Sequence, residues 1–330
     1  MTAADNGEIV AARGPSLLAR ALQVLLVLGT LAWLGWQVFR DLPSLRALTF
    51  APALGDVVGA FVCGALAVAS FPVAFTTLLR ALGLHREEHR FAYHRMYFQA
   101  FFFRYVPGKV LLVVQRVRLG KPLGIPPAAN VVLVIWETLL YLVGGTIVSV
   151  ACVGFILTDA GAALPWLAIS PIMVLAMLLA FPVMLAWAAR TPMFGARFAQ
   201  LATLEMPRRA QLKVALFYAL TSLLLATSFF FMCRWFKDVP WSDYPRVVFW
   251  FTASTVAGIA VAIAPAGLGV REGLLAFGLA SLWPPAVTAT LAVAGRFWVT
   301  ALELTAIALA YALPGARDPD SPRRHGDTET

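Results

Sequence analysis

The sequence predicts an all-α, polytopic membrane protein with about six to eight transmembrane helices and two opposed re-entrant or broken hairpins. Three observations lead to this prediction. Of the 330 residues, 60% are hydrophobic and 13% are charged, whereas about 25% of a typical soluble domain is charged. Several apolar runs reach the roughly 20 residues that cross a bilayer. Two further apolar regions are interrupted by Pro and Gly, which break helices.

The long apolar runs divide the chain into three parts. Residues 1–16 are a predicted cytoplasmic tail, 17–313 a transmembrane domain, and 314–330 a disordered cytoplasmic tail. The first apolar run is longer than the core of a signal peptide, so we expect it to be retained as a span. Full spans are predicted at Leu17–Phe39, Leu54–Leu79, Pro127–Leu157, Leu164–Ala189, Val214–Phe236 and Ala286–Leu313.

Two apolar regions do not fit a simple span. The segment Phe91–Leu119 has two short pieces around Pro107-Gly108, and since neither piece can span alone, a re-entrant hairpin fits it better. The second region places Arg246–Ala264 and Val270–Trp283 on either side of the sequence PAGLG. Its first piece is long enough to span, so eight full spans are the alternative to six. Opposed breaks of this kind occur in inverted-repeat transporters, although two unrelated Pro/Gly breaks would look the same.

The distribution of basic residues predicts the orientation. Arg and Lys are concentrated in the loop at 80–95, at 116–121, in the loop at 190–213 and in the C-terminal tail. Since cytoplasmic loops carry an excess of Lys and Arg, we expect a multi-pass protein of the cell (inner) membrane with both termini in the cytoplasm. The net charge of +9 is therefore assigned to membrane anchoring, and no nucleic-acid partner is expected.

Charged residues within the apolar regions are the candidate functional residues, because charge in lipid is costly and usually functional. One interpretation is internal pairing, of Glu137 or Glu303 with Arg296 and of Glu272 with Arg271 or Arg104. The other is a ligand: Arg and Lys outnumber Glu, and the planar guanidinium of Arg suits phosphate. The predicted lipid-phosphate-binding residues are Arg104, Pro107, Gly108, Lys109, Arg116, Glu137, Pro265, Gly267, Gly269, Arg271, Glu272, Arg296 and Glu303.

A competing pattern lies in the charged loop. The residues His85 to His89 match the H-x-x-E-H pattern of some zinc proteases, but a solvated loop beside the membrane is the favoured interpretation, because so short a pattern often arises by chance. We therefore assign no metal ligand, no catalytic residue and no cofactor. Without a nucleotide-binding motif, transport driven by ATP on this chain alone is not expected.

Two motifs resemble those of a known family. The stretch RYVPGKVLLVVQRVRLGK at 104–121, the buried Glu137 and PAGLGVREG at 265–273 resemble the transmembrane region of the lysylphosphatidylglycerol synthase family, over most of residues 17–313. Thr138 stands where that family often has Arg. The resemblance implies a flippase-like domain, and since the sequence contains no aminoacyl-transferase domain, synthesis of lysyl-lipid by this chain is not expected.

These observations favour a lipid transporter, flippase- or scramblase-like, that handles an anionic phosphate-bearing lipid. The expected partner is a phospholipid or a polyprenyl phosphate in the membrane, and a homo-oligomer or a lipid-enzyme partner is left open. The alternative is a membrane-embedded transferase or accessory subunit in lipid or lipid-linked sugar metabolism, with Glu137, Glu272 or Glu303 as a base. An enzymatic role is the less favoured of the two, because the chain offers little room for an aqueous donor site.

Overall fold

The computed structural model describes residues 50–105, 110–157, 206–260 and 269–312, together with Trp36 and Phe39. The predicted span Leu164–Ala189, both tails and all but two residues of the span Leu17–Phe39 lie outside these ranges. Eight α-helices occupy the described residues, with no β-strand among them. They are α1 Leu54–Ala81, α2 Arg90–Phe101, α3 Val110–Gly120, α4 Pro127–Leu157, α5 Arg208–Cys233, α6 Tyr244–Ala260, α7 Val270–Leu279 and α8 Pro285–Ala312.

Four of the described helices, α1, α4, α5 and α8, are long and apolar enough to cross a membrane. The all-helical prediction is thus confirmed, and the chain is a membrane protein by the length and composition of these helices. The bounds of α4 coincide with the predicted span, and α1 runs through Pro72 to Ala81. Helix α5 begins at Arg208, six residues before the predicted start at Val214. The added turns carry basic side chains, which can extend from a helix to the membrane surface without ending it.

Helix α5 is the centre of the described bundle and packs against α1, α4, α6 and α8. Its contact with α1 is antiparallel and rich in hydroxyl groups. Ser228 Oγ donates a hydrogen bond to the carbonyl oxygen of Ala60 (2.6 Å), and Ser70 Oγ lies 2.6 Å from Thr221 Oγ1. Hydroxyl and small side chains allow such close packing of membrane helices, where the hydrophobic effect does little to join them.

A glycine fixes the contact between α4 and α5, which predicts a destabilising substitution. A Cβ on Gly144 would lie 2.5 Å from the backbone nitrogen of Ala219, whereas a Cβ on Gly55 would meet nothing within 4 Å. We expect Gly144→Ala to lower the stability of the protein by about 1–3 kcal/mol, since the backbone of α5 cannot move aside cheaply. The measurement is thermal unfolding in detergent, with Gly55→Ala as the matched control; equal melting temperatures for the two variants would contradict the prediction.

Each of the two regions predicted to be broken contains a pair of antiparallel helices. In the first, α2 and α3 have 12 and 11 residues, or about 18 and 16 Å, against a hydrocarbon core of about 30 Å. The guanidinium of Arg86, before α2, packs against Gly124, after α3, so the chain enters and leaves this pair at the same end. In the second pair, Trp250 of α6 packs against Gly278 of α7.

Candidate functional site

Seven charged residues from both helix pairs and from α4 and α8 meet in the interior of the bundle. We call them the central charge cluster: Arg104, Arg116, Glu137, Arg271, Glu272, Arg296 and Glu303. Glu137 is the eleventh residue of α4 and Arg296 the twelfth of α8. At about 1.5 Å per residue, both lie about 15–16 Å from the start of their helices. The cluster therefore lies near the middle of the long helices.

The best-formed contact of the cluster joins α3 to α4. Arg116 donates two hydrogen bonds to Glu137, from Nη1 to Oε1 (2.6 Å) and from Nη2 to Oε2 (2.8 Å). The guanidinium also packs against the rings of Phe75 and Tyr97, at 4.7 and 4.6 Å from their centres. Both charges are buried. A bidentate pair whose cation also contacts two aromatic rings has little freedom to exchange partners, which suits a structural role.

A second ion pair joins the end of the first helix pair to α8. Arg104 Nη1 donates a hydrogen bond to Glu303 Oε1 (2.9 Å), and the guanidinium lies 4.4 Å from the ring centre of Phe101. The Glu303 side chain is 3% exposed, whereas that of Arg104 is 24% exposed. This pair is therefore more accessible than that of Arg116 and Glu137, and a ligand could reach its cation.

Glu272 lies in the first turn of α7, and its two carboxylate oxygens have different surroundings. Its Oε2 accepts a hydrogen bond from the backbone N–H of Gly269 (2.8 Å), which caps the helix. Gly269 has φ +89°, a conformation that favours glycine. The Oε1 atom is buried and accepts no hydrogen bond from the described residues; Arg296 Nη1 is 3.9 Å away. This distance allows electrostatic attraction but not a hydrogen bond.

Arg271 is the cation that the cluster leaves available. It is 8% exposed, and its guanidinium lies 4.8 Å from the ring centre of Phe251 in α6. Arg296 is close enough to repel it electrostatically. Within the described parts of the chain, its guanidinium makes no ion pair or hydrogen bond. A buried guanidinium that has an aromatic contact but no ion pair can attract an anionic group.

The glutamates have other partners than those considered from the sequence. Glu137 pairs with Arg116, Glu303 with Arg104, and Glu272 lies nearest to Arg296. The general expectation of internal pairing is thus met, and the partners observed for Glu137 and Glu303 are Arg116 and Arg104, which the sequence analysis did not pair with them. The partners are decided by how the two helix pairs pack against α4 and α8, which the spacing of residues along the chain does not reveal. Five predicted site residues lie outside the described ranges: Pro107, Gly108, Lys109, Pro265 and Gly267.

An aromatic residue that the sequence analysis overlooked lies beside the cluster. Tyr141 follows Glu137 by one helical turn and is within electrostatic range of Arg104, Arg271 and Glu303. It also lines a narrow cleft between α4, α5 and α6, whose wall includes Phe251. The i, i+4 relation to Glu137 was the signal that could have identified it.

The H-x-x-E-H pattern lies in a loop and a short 3-10 helix, not on one face of an α-helix. His85 Nε2 is 3.2 Å from Glu87 Oε1, which also accepts a hydrogen bond from Arg80 (3.1 Å). Together the Arg80 and His85 contacts hold the pKa of the exposed Glu87 carboxyl below its usual value. Among the described residues, no three His, Cys, Asp or Glu side chains are grouped as a metal site would require.

Comparison with known proteins assigns no identity. No protein-family model and no curated protein matches this chain. The resemblance to the lysylphosphatidylglycerol synthase family therefore stays a prediction that rests on the motifs around Arg104 and Arg271, and function must be argued from the central charge cluster itself.

Proposed function

We propose that the protein is a flippase- or scramblase-like transporter that moves an anionic, phosphate-bearing lipid between the leaflets of the cell (inner) membrane. The observation that carries this proposal is Arg271, which is buried beside Phe251 and makes no ion pair or hydrogen bond to a described residue. The central charge cluster contains four arginines and three glutamates, so its formal charge is +1. A phosphate group would supply the missing negative charge.

In this proposal the two helix pairs are re-entrant elements that enter the membrane from opposite sides. The α2/α3 pair begins and ends at the end of the bundle where α1 finishes and α4 starts, which the charge distribution assigns to the cytoplasm. The α6/α7 pair would enter from outside, which gives six full spans when Leu17–Phe39 and Leu164–Ala189 are counted. Inverted-repeat transporters place their substrate where two such elements meet near the middle of the membrane.

A lipid suits this site because its head group can reach the charges while its chains stay in the bilayer. Phe297, next to Arg296 in α8, is 71% exposed, so α8 presents an apolar face directly beside the cluster. The side chains of Arg104 and Arg296 are also partly exposed. The arginines could therefore bind a phosphate that arrives laterally, through charge-assisted hydrogen bonds.

The test is lipid movement in liposomes. We expect the purified protein to move a fluorescent anionic phospholipid between leaflets, measured by quenching the label in the outer leaflet, faster than in protein-free liposomes. A zwitterionic phospholipid with the same chains and label measures the preference for net negative charge. If no phospholipid or polyprenyl phosphate moves, the proposal is wrong. Formation of a new product from the labelled lipid would instead favour the transferase alternative.

A further inference from the structure

A buried carboxylate oxygen of the central charge cluster is the basis of a further inference. Among the described residues, Glu272 Oε1 accepts no hydrogen bond. Glu137 accepts a hydrogen bond from Arg116 on each oxygen, and Glu303 accepts one from Arg104 on Oε1. A proton on Glu272 Oε1 therefore breaks no hydrogen bond to a described arginine, whereas a proton on either oxygen of Glu137 would.

The charged and titratable groups around this atom come from several elements. Arg271 is its neighbour on α7, and Arg296 of α8 lies 3.9 Å away. Glu303 of α8 and Tyr141 of α4 are within electrostatic range of Arg271, and α6 contributes the uncharged ring of Phe251. Since Arg296 makes no hydrogen bond to Oε1, a phosphate that attracts both Arg296 and Arg271 would weaken the compensation of the negative charge on Glu272.

The charge of the cluster determines when a proton is needed. The described residues of the cluster, four arginines and three glutamates, give +1, which the single charge of a phosphodiester lipid neutralises. A phosphomonoester carries nearly two negative charges above its second ionisation near pH 6 and would leave the buried cluster at −1. An uncompensated buried charge is strongly unfavourable. Binding of a doubly charged phosphomonoester would therefore be accompanied by uptake of one proton by the protein.

We propose that Glu272 accepts this proton, so that the site binds a phosphomonoester lipid together with one H⁺ and a phosphodiester lipid without one. The proton binds Oε1 and converts the carboxylate to the neutral acid. Oε2 continues to accept the hydrogen bond from Gly269, and Arg296 turns to the phosphate. This inference rests on the proposed function, because it assumes that the cluster binds lipid phosphate.

The test compares two water-soluble, short-chain lipids on the full-length protein in detergent: phosphatidic acid, a phosphomonoester, and phosphatidylglycerol, a phosphodiester. Proton uptake on binding is measured by titration calorimetry in buffers of different ionisation enthalpy. Between about pH 7.5 and 9, the phosphate of phosphatidic acid is already doubly ionised. Binding that takes up one proton weakens about tenfold per pH unit. We expect this slope for phosphatidic acid and an almost flat profile for phosphatidylglycerol.

Infrared difference spectra show where the proton is bound. Phosphatidic acid should produce the carbonyl band of a protonated carboxylic acid, and Glu272→Gln, whose amide oxygen can still cap Gly269, should lack the band and the proton uptake. Binding of both lipids without proton uptake, or uptake without the band, would overturn the inference and leave the proposed function standing. Binding of neither lipid would reject both. If Glu272→Gln fails to fold, proton uptake and the infrared band are still compared for the two lipids on the unmodified protein, and their absence with phosphatidic acid would overturn the inference.

Discussion

Arg116→Ala is expected to remove most of the folded protein. The substitution leaves Glu137 with both oxygens deprived of their hydrogen bonds in the interior of the bundle. Breaking a buried ion pair by removing one partner costs about 3–5 kcal/mol in soluble proteins, a large part of a typical total stability of 5–15 kcal/mol. The rings of Phe75 and Tyr97 also lose the cation that packs against them. Folded yield is measured by size-exclusion chromatography in detergent.

Arg118 provides the matched control, since it lies two residues further along α3 and is exposed. Arg118→Ala removes the same charge and should leave the yield close to that of the unmodified protein. Replacing both partners, Arg116→Met with Glu137→Leu, should restore much of the yield because no charge is left buried without its partner. If Arg116→Ala folds as well as Arg118→Ala, the pair does not stabilise the contact between α3 and α4.

The long helices could be predicted from the sequence because their signal is local. An unbroken apolar run fixes Pro127–Leu157 at both ends, since the membrane requires every backbone polar group to be bonded within the helix. The two short pieces on either side of Pro107-Gly108 were also predictable, because neither half of Phe91–Leu119 could span. These inferences needed no knowledge of which helices touch.

The partners of the charges could not be predicted, because they depend on how the helices dock. Arg116 and Arg118 are close in sequence, yet one is buried against Glu137 and the other exposed. Nothing in the sequence near Arg104 indicates that it meets Glu303, 199 residues away. The surplus of cations could be predicted by counting, but not that Arg271 is the cluster arginine that makes no ion pair or hydrogen bond to a described residue.

Arg271→Ala is expected to abolish lipid movement and to leave the folded yield largely intact. Its side chain contacts Phe251 and makes no ion pair among the described residues, so its removal orphans no carboxylate. Glu272 keeps its hydrogen bond to Gly269 and its proximity to Arg296. Arg271→Lys should retain only part of the transport, because it preserves the charge but loses the planar, bidentate donor that suits phosphate. Yield is measured in detergent and transport in liposomes.

The double variant Arg271→Ala with Glu272→Ala distinguishes a ligand-binding arginine from a structural one. If Arg271 balanced Glu272 in the folded protein, the single substitution would lower the yield and the second would restore both yield and transport. The structure predicts otherwise: Glu272 caps α7 through Gly269, so losing it removes a helix cap worth about 0.5–2 kcal/mol and restores nothing. Rescue of both properties would show that Arg271 serves the fold, and the cation that carries the proposed transport function would have to be sought elsewhere in the cluster.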